Sequence, residues 1–173
     1  MKEILLLGDS LIADNDWQAR MPSFSVYNRG VPGIMVSDLL RMLPEIKTEI
    51  PSCDLAMVMI GTNDLLTGNY DFFPTIKKIL VELNQNYSAA EILINGLCPM
   101  RLSHLPGNTI ESINCHIEAI SMQTGCCYLD SYRRLLSATD PIFTEDGVHL
   151  TEVAYDIWTK TLLEHIAFLI EDE

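Results

Sequence analysis

The stretch Asp54-Leu55-Ala56-Met57-Val58-Met59-Ile60-Gly61 decides the fold. Six consecutive apolar residues lie between an aspartate and a glycine, with no polar residue alternating among them. A strand with one wet face would alternate, whereas a strand covered on both faces reads as a continuous apolar run. This segment is therefore expected as a central strand of a parallel sheet. Outward from it, Glu3 to Leu7 is a second apolar run, and Ser25 to Asn28 and Ile92 to Ile94 are weaker ones. Cys127 to Leu129 is a short fifth.

Longer amphipathic segments separate these runs. Leu39, Leu40, Leu43, Ile46 and Ile50 recur at helical spacing behind Ser37, a candidate N-cap, with Pro44 expected to kink the helix. Ile76, Ile79, Leu80 and Leu83 mark another helix, which fades into Asn84-Gln85-Asn86. A third is expected from about Asn108 to Gln123, stopped by Gly125. A last one starts near Thr151 and runs to about Ile170. Strands alternating with helices give βαβ units. The expected architecture is a three-layer α/β/α sandwich with a five-stranded parallel sheet in flavodoxin-like order. With no linker, repeat or biased segment, residues 1–173 are expected to form one domain, a size that buries roughly 70% of the unfolded chain's surface.

Composition narrows the function. The chain has 11 Lys and Arg against 24 Asp and Glu, a formal net charge of −13. Such a surface repels phosphate backbones and anionic lipid headgroups, so nucleic acid is not expected as a partner. Apolar stretches fall short of about 18 residues, so no membrane span is expected, and the first residues leave no room for a signal peptide. The five cysteines, Cys53, Cys98, Cys115, Cys126 and Cys127, are odd in number and lack a C-x-x-C pair. Most are expected as small buried hydrophobes in a cytoplasmic protein, and neither a disulfide framework nor a zinc knuckle is indicated. No cofactor or metal is implied.

In a doubly wound sheet, ligands bind beyond the carboxyl ends of the strands. Three polar motifs fall at that mouth. Gly8-Asp9-Ser10-Leu11 follows the first strand and presents Ser10 either as a nucleophile or as a helix cap. Gly61-Thr62-Asn63-Asp64 follows the central strand, where the Asn63 amide either donates toward the mouth or closes an Asx turn. Asp146-Gly147-Val148-His149 precedes the last helix. That spacing lets a carboxylate reach the imidazole Nδ1 and leaves Nε2 as a base, or else makes a plain surface turn. Nucleophile, base, orienter and amide donor together satisfy the roles of acyl transfer. There is no G-x-S-x-G elbow.

These motifs, with the glycine-bearing turn Arg29-Gly30-Val31-Pro32-Gly33, resemble the SGNH or GDSL-type hydrolase family over residues 8 to 149. The resemblance implies an α/β/α fold and esterase, lipase, thioesterase or carbohydrate-deacetylase activity on a small-molecule ester. It implies Ser10 as nucleophile, His149 as base and Asp146 as its orienting partner. The implied oxyanion donors are the Ser10 and Gly33 backbone N–H groups and the Asn63 amide, with Gly30 as the alternative to Gly33. The chain departs from the family at Gly33-Ile34-Met35, where members carry Gly-Asp-Thr or Gly-Asp-Ser. Asp9 and Asp64 are expected to bond nearby backbone. His104, His116 and His165 are expected to be structural or solvent-facing. Leu65, Leu66, Leu97 and Met100 are expected either to line an apolar pocket or to pack beneath the loops. The rival reading is a non-catalytic flavodoxin-like binding module using the same loops.

Overall fold

The computed structural model describes residues 1–170. Five parallel strands form one sheet in the order β2-β1-β3-β4-β5. They are β1 (Glu3–Gly8), β2 (Ser25–Gly30), β3 (Leu55–Met59), β4 (Glu91–Asn95) and β5 (Cys127–Leu129). The decisive apolar run is the central strand β3, buried along its whole length. Its Leu55 to Met59 pair with Ile4 to Gly8 of β1, and Leu55 to Val58 pair with Glu91 to Ile94 of β4.

Three long helices connect strands, α3 (Val36–Glu49), α5 (Phe73–Asn86) and α6 (Thr109–Thr124), and a fourth, α8 (Glu152–Leu169), follows β5. Four short ones accompany them: α1 (Ser10–Ala13), α2 (Trp17–Arg20), α4 (Thr62–Leu66) and α7 (Ser131–Leu136). Helices α3, α5 and α6 pack side by side, while α8 packs with α2 and α7. Helices thus cover both sides of the sheet, giving the three-layer α/β/α sandwich. The buried apolar side chains form one connected cluster, with Leu5, Leu7, Met57, Val58 and Trp158 inaccessible to solvent. Each such side chain contributes about 1.5–3 kcal/mol on leaving water.

Several boundaries differ from the expectations, each for a local reason. Strand β2 extends to Gly30 because its polar end lies at the sheet edge, where Leu7 and Gly8 pair with Arg29 and Gly30. Helix α3 starts at Val36 behind Met35, not behind Ser37, because carboxylates elsewhere in sequence cap it, as described below. The helix also continues through Pro44. The cysteines are less buried than expected of most of them. Cys98 is buried, Cys53, Cys126 and Cys127 are half-buried, and Cys115 is exposed on the outer face of α6. No described helix is long and apolar enough to cross a membrane.

Candidate active site

Strand β1 ends in Gly8, and the chain turns at once into α1. A Cβ on Gly8 would stand 2.3 Å from the Met59 carbonyl oxygen and 2.6 Å from Ile12 Cγ1, so only glycine fits. The Asp9 carboxylate caps α1 by accepting the Leu11 N–H at 3.0 Å. Ser10 is the first residue of that helix, half-buried at the carboxyl edge of the sheet. It is not the cap, which is Asp9.

The Asp146 motif is mounted differently. Phe143 and Leu150 form an antiparallel bridge, and residues 144–149 are the loop it closes. Within it, Asp146 Oδ1 accepts the N–H groups of Val148 at 2.8 Å and His149 at 2.9 Å, and the Thr144 hydroxyl at 3.0 Å. Its other oxygen, Oδ2, accepts from His149 Nδ1. These hydrogen bonds, the Val148 N–H first among them, hold the Asp146 carboxyl well below the usual carboxylate range. Gly147 has φ of +72°, and a Cβ there would meet the Arg101 carbonyl oxygen at 2.4 Å. Its own carbonyl accepts the Arg101 N–H at 2.8 Å, which ties the β4–α6 loop to this turn.

The two halves meet across 139 residues, with Ser10 Oγ 3.3 Å from His149 Nε2. With Nδ1–H given to Asp146, Nε2 is left as the acceptor for the Ser10 hydroxyl. A spacing of 3.3 Å is typical of a resting site that tightens around substrate. Helix α8, directly after His149, fixes this meeting. Tyr155 donates its hydroxyl to the Leu11 carbonyl at 2.8 Å. Arg20 pairs with Glu152 and Asp156, and Trp17 packs edge-on against Trp158 at 5.1 Å. Sequence reasoning missed these ties, since no local pattern links residues 144 apart.

Asn63 lies in α4, beyond the end of β3, and its Nδ2 donates to the Ile34 carbonyl at 2.9 Å. Gly33, exposed at the turn before α3, has open space around it. The Gly30 N–H is engaged by Asn28 Oδ1 at 3.0 Å, and Gly30 packs against Ala13. That engagement favours Gly33 over Gly30 as a donor toward the mouth.

The two further aspartates behave unlike each other. Asp9 is wholly buried, and burial pushes its carboxyl up to about 6. Its Oδ2 has no hydrogen-bond partner among the described residues. Asp64, also buried, reaches beyond nearby backbone to the Val36 N–H at 2.9 Å, 28 residues away. Of the four apolar candidates, Leu65 and Leu97 are buried beneath the loops. Leu66 is exposed and Met100 half-buried. His104 is exposed, His165 is half-buried on α8, and His116 stands edge-on against Phe73. Among the described residues, no three His, Cys, Asp or Glu side chains cluster to hold a metal ion.

Fold and mouth together define the class, a carboxylic ester hydrolase on a flavodoxin-like α/β/α sheet. Residues 6–157 match the model of the GDSL-like Lipase/Acylhydrolase family, and the chain belongs to that family. Solved structures share the fold. A GDSL-like lipase from Bacteroides thetaiotaomicron is 21% identical, with a TM-score of 0.76 over 96% of this chain and 88% of its own. An acetylxylan esterase from Geobacillus stearothermophilus is 18% identical, with a TM-score of 0.78 over 96% of this chain and 94% of its own. TesA is 17% identical, with a TM-score of 0.81 over 98% of this chain and 100% of its own. No curated protein sequence matches the chain.

Proposed function

We propose that the chain is a serine hydrolase that cleaves carboxylic esters of small or medium acyl groups through an acyl-enzyme. One observation carries this reading. Ser10 Oγ lies 3.3 Å from His149 Nε2, while His149 Nδ1 is bonded to an ionised Asp146. His149 takes the Ser10 proton as Oγ attacks the acyl carbonyl, and the carbonyl π electrons move onto its oxygen. Three donors hold that oxyanion: the Ser10 N–H, the Gly33 N–H and one N–H of Asn63 Nδ2. As the tetrahedral adduct collapses, the ester C–O bond breaks. The alcohol leaves with the proton carried by His149, and the acyl group stays on Ser10. A water then gives a proton to His149 and attacks the acyl carbon, releasing the acid and restoring the Ser10 hydroxyl.

Asp146 orients the imidazole and stabilises it when charged. Its strongly lowered titration keeps it ionised through the neutral and mildly acidic range, so it does not itself limit activity there. A small or medium acyl group is supported by the burial of Leu65 and Leu97, which leaves only Leu66 and Met100 of the four apolar candidates accessible. The five free cysteines suit a cytoplasmic protein, which belongs to the same reading.

The test is covalent labelling with a fluorophosphonate, read beside hydrolysis of aryl esters graded from acetyl to palmitoyl. Wild type is expected to label at Ser10 and to prefer the shorter chains. Ser10→Ala is expected to abolish labelling and to lower kcat by about 10⁴-fold or more. Full hydrolysis by Ser10→Ala would refute the nucleophile, and failure of the wild type to label would favour a binding module. A preference for palmitoyl esters would overturn the acyl-size assignment alone.

A further inference from the structure

Helix α3 begins where the Gly33 turn ends, and its start is unusually provided for. An N-cap residue ordinarily carries a side-chain oxygen that accepts one of the first helical N–H groups. Met35 occupies that position and has no oxygen to offer. Two carboxylates supply what it lacks. Asp38, inside the helix, accepts the Met35 N–H at 2.8 Å. Asp64 comes from the separate loop after β3 and accepts the buried Val36 N–H at 2.9 Å. Its other oxygen accepts from Asn69 Nδ2, also at 2.9 Å, which fixes the carboxylate plane.

The residue before Asp64 reaches the same segment. Asn63 Nδ2 donates to the Ile34 carbonyl at 2.9 Å. Two adjacent side chains thus grip residues 34 and 36 with opposite polarity, one giving a proton to a carbonyl and the other taking an N–H. Gly33 directly precedes the gripped segment, exposed, and a Cβ built on it would meet nothing within 4 Å among the described residues. Its N–H direction is therefore set by where residues 34–36 are pinned. The same grip fixes one N–H of the Asn63 amide, which directs the other.

We propose that Asp64 is a positioning residue of the oxyanion hole, setting the Gly33 N–H and the Asn63 amide in register by capping α3 from the neighbouring loop. The inference rests on the donor roles given above to Gly33 and Asn63. Asp64 does not touch substrate. It acts through Val36; burial raises its carboxyl, while the Val36 N–H and the Asn69 amide work against that rise.

Three variants test this. Asp64→Ala removes the cap and is expected to lower kcat by roughly 10- to 100-fold with KM within about threefold, the signature of a misplaced transition-state donor. Asp64→Asn keeps an oxygen for the Val36 N–H and gives up only the Asn69 bond, since the Asn69 oxygen stays with the Asp71 N–H at 3.1 Å. It is expected to restore kcat to within about threefold of wild type. Val36→Pro removes the same bond from the donor side at the first helical position, where proline is tolerated. It is expected to match Asp64→Ala, and the double variant is expected to lose little more than either single one.

A kcat for Asp64→Ala within twofold of wild type would overturn the proposal. So would losses that multiply in the double variant, or a loss that falls on KM alone. Should Asp64→Ala fail to fold, Val36→Pro and Asp64→Asn carry the same comparison. Ser10→Ala is measured alongside. An inactive Ser10→Ala with a normal Asp64→Ala refutes only the positioning role, whereas an active Ser10→Ala refutes the serine mechanism beneath it.

Discussion

Two turns meet at the mouth of the sheet, and they are built in opposite ways. The β1–α1 turn that carries Ser10 is sunk into the core. Gly8 touches the backbone of β3, Asp9 is wholly inaccessible, and Leu11 and Ile12 are buried behind them. The 144–149 turn that carries His149 stands at the surface, with the Asp146 and His149 side chains about half exposed. Each turn has its aspartate, and the contrast between them is instructive. Asp9 has one oxygen without a partner, and burial raises it to about 6. Asp146 accepts four hydrogen bonds and is held strongly acidic although water reaches it. Burial and the number of donors aimed at a carboxylate together decide which one is a dependable anion at neutral pH.

Substitutions in the two turns should therefore fail in different ways. The largest effect is expected from Asp146→Asn. On the proposed roles it takes the imidazole's orienting partner and lowers kcat by about 10⁴-fold. Because the residue sits in an exposed turn, the melting temperature is expected to move little, and calorimetry beside ester kinetics would show both. A large fall in melting temperature with modest loss of kcat would reverse the contrast.

Gly8→Ala is the converse case. A Cβ placed 2.3 Å from the Met59 carbonyl oxygen must push two central strands apart, and a loss of about 3 kcal/mol in stability is expected. Urea unfolding would measure it, and an unchanged midpoint would show that this turn is less tightly packed than described.

The smallest effect, and the most diagnostic, comes from Asp9→Asn. A buried carboxyl with a raised titration favours its protonated form, so its stabilisation is complete below about 3.8 and fades as pH rises through about 6. At pH 7 the buried charge is a burden, and Asp9→Asn is expected to be about 1–2 kcal/mol more stable than wild type. That gap should close as the pH falls toward 4. A gap that is constant with pH would mean that Asp9 does not titrate in this window.

Much of this was legible in the sequence. The unbroken apolar run at Leu55 announced a strand covered on both sides, and the alternation around it announced the sheet order. The three polar motifs fell at strand ends because parallel sheets put their loops there, and the structure brings Ser10, Asn63 and His149 to one edge. The short helices escaped notice because four to six residues are too few to show a period. The reach of Asp64 escaped for a different reason. A carboxylate bonding a backbone N–H 28 residues away leaves no trace in spacing. The one available sign was negative: Met35, where family members often carry an oxygen-bearing side chain, has no oxygen with which to cap the helix it precedes. The Ser37 expectation failed on the same point, since it assumed that the cap had to be local.

The bond from Tyr155 to the Leu11 carbonyl bears on how the protein comes into being. During synthesis Ser10 leaves the ribosome 139 residues ahead of His149, the base proposed for it. At translation rates of about 5–20 residues per second, that is a delay of roughly 7–28 s. Throughout this interval the nascent chain carries an ordinary, unreactive serine. On the proposed roles, the hydroxyl acquires its base only when α8 docks, with Tyr155 against Leu11 and Arg20 against Glu152 and Asp156. Appearance of esterase activity during refolding is thus a clock for the last docking event, and it should lag behind the burial of β1 against β3.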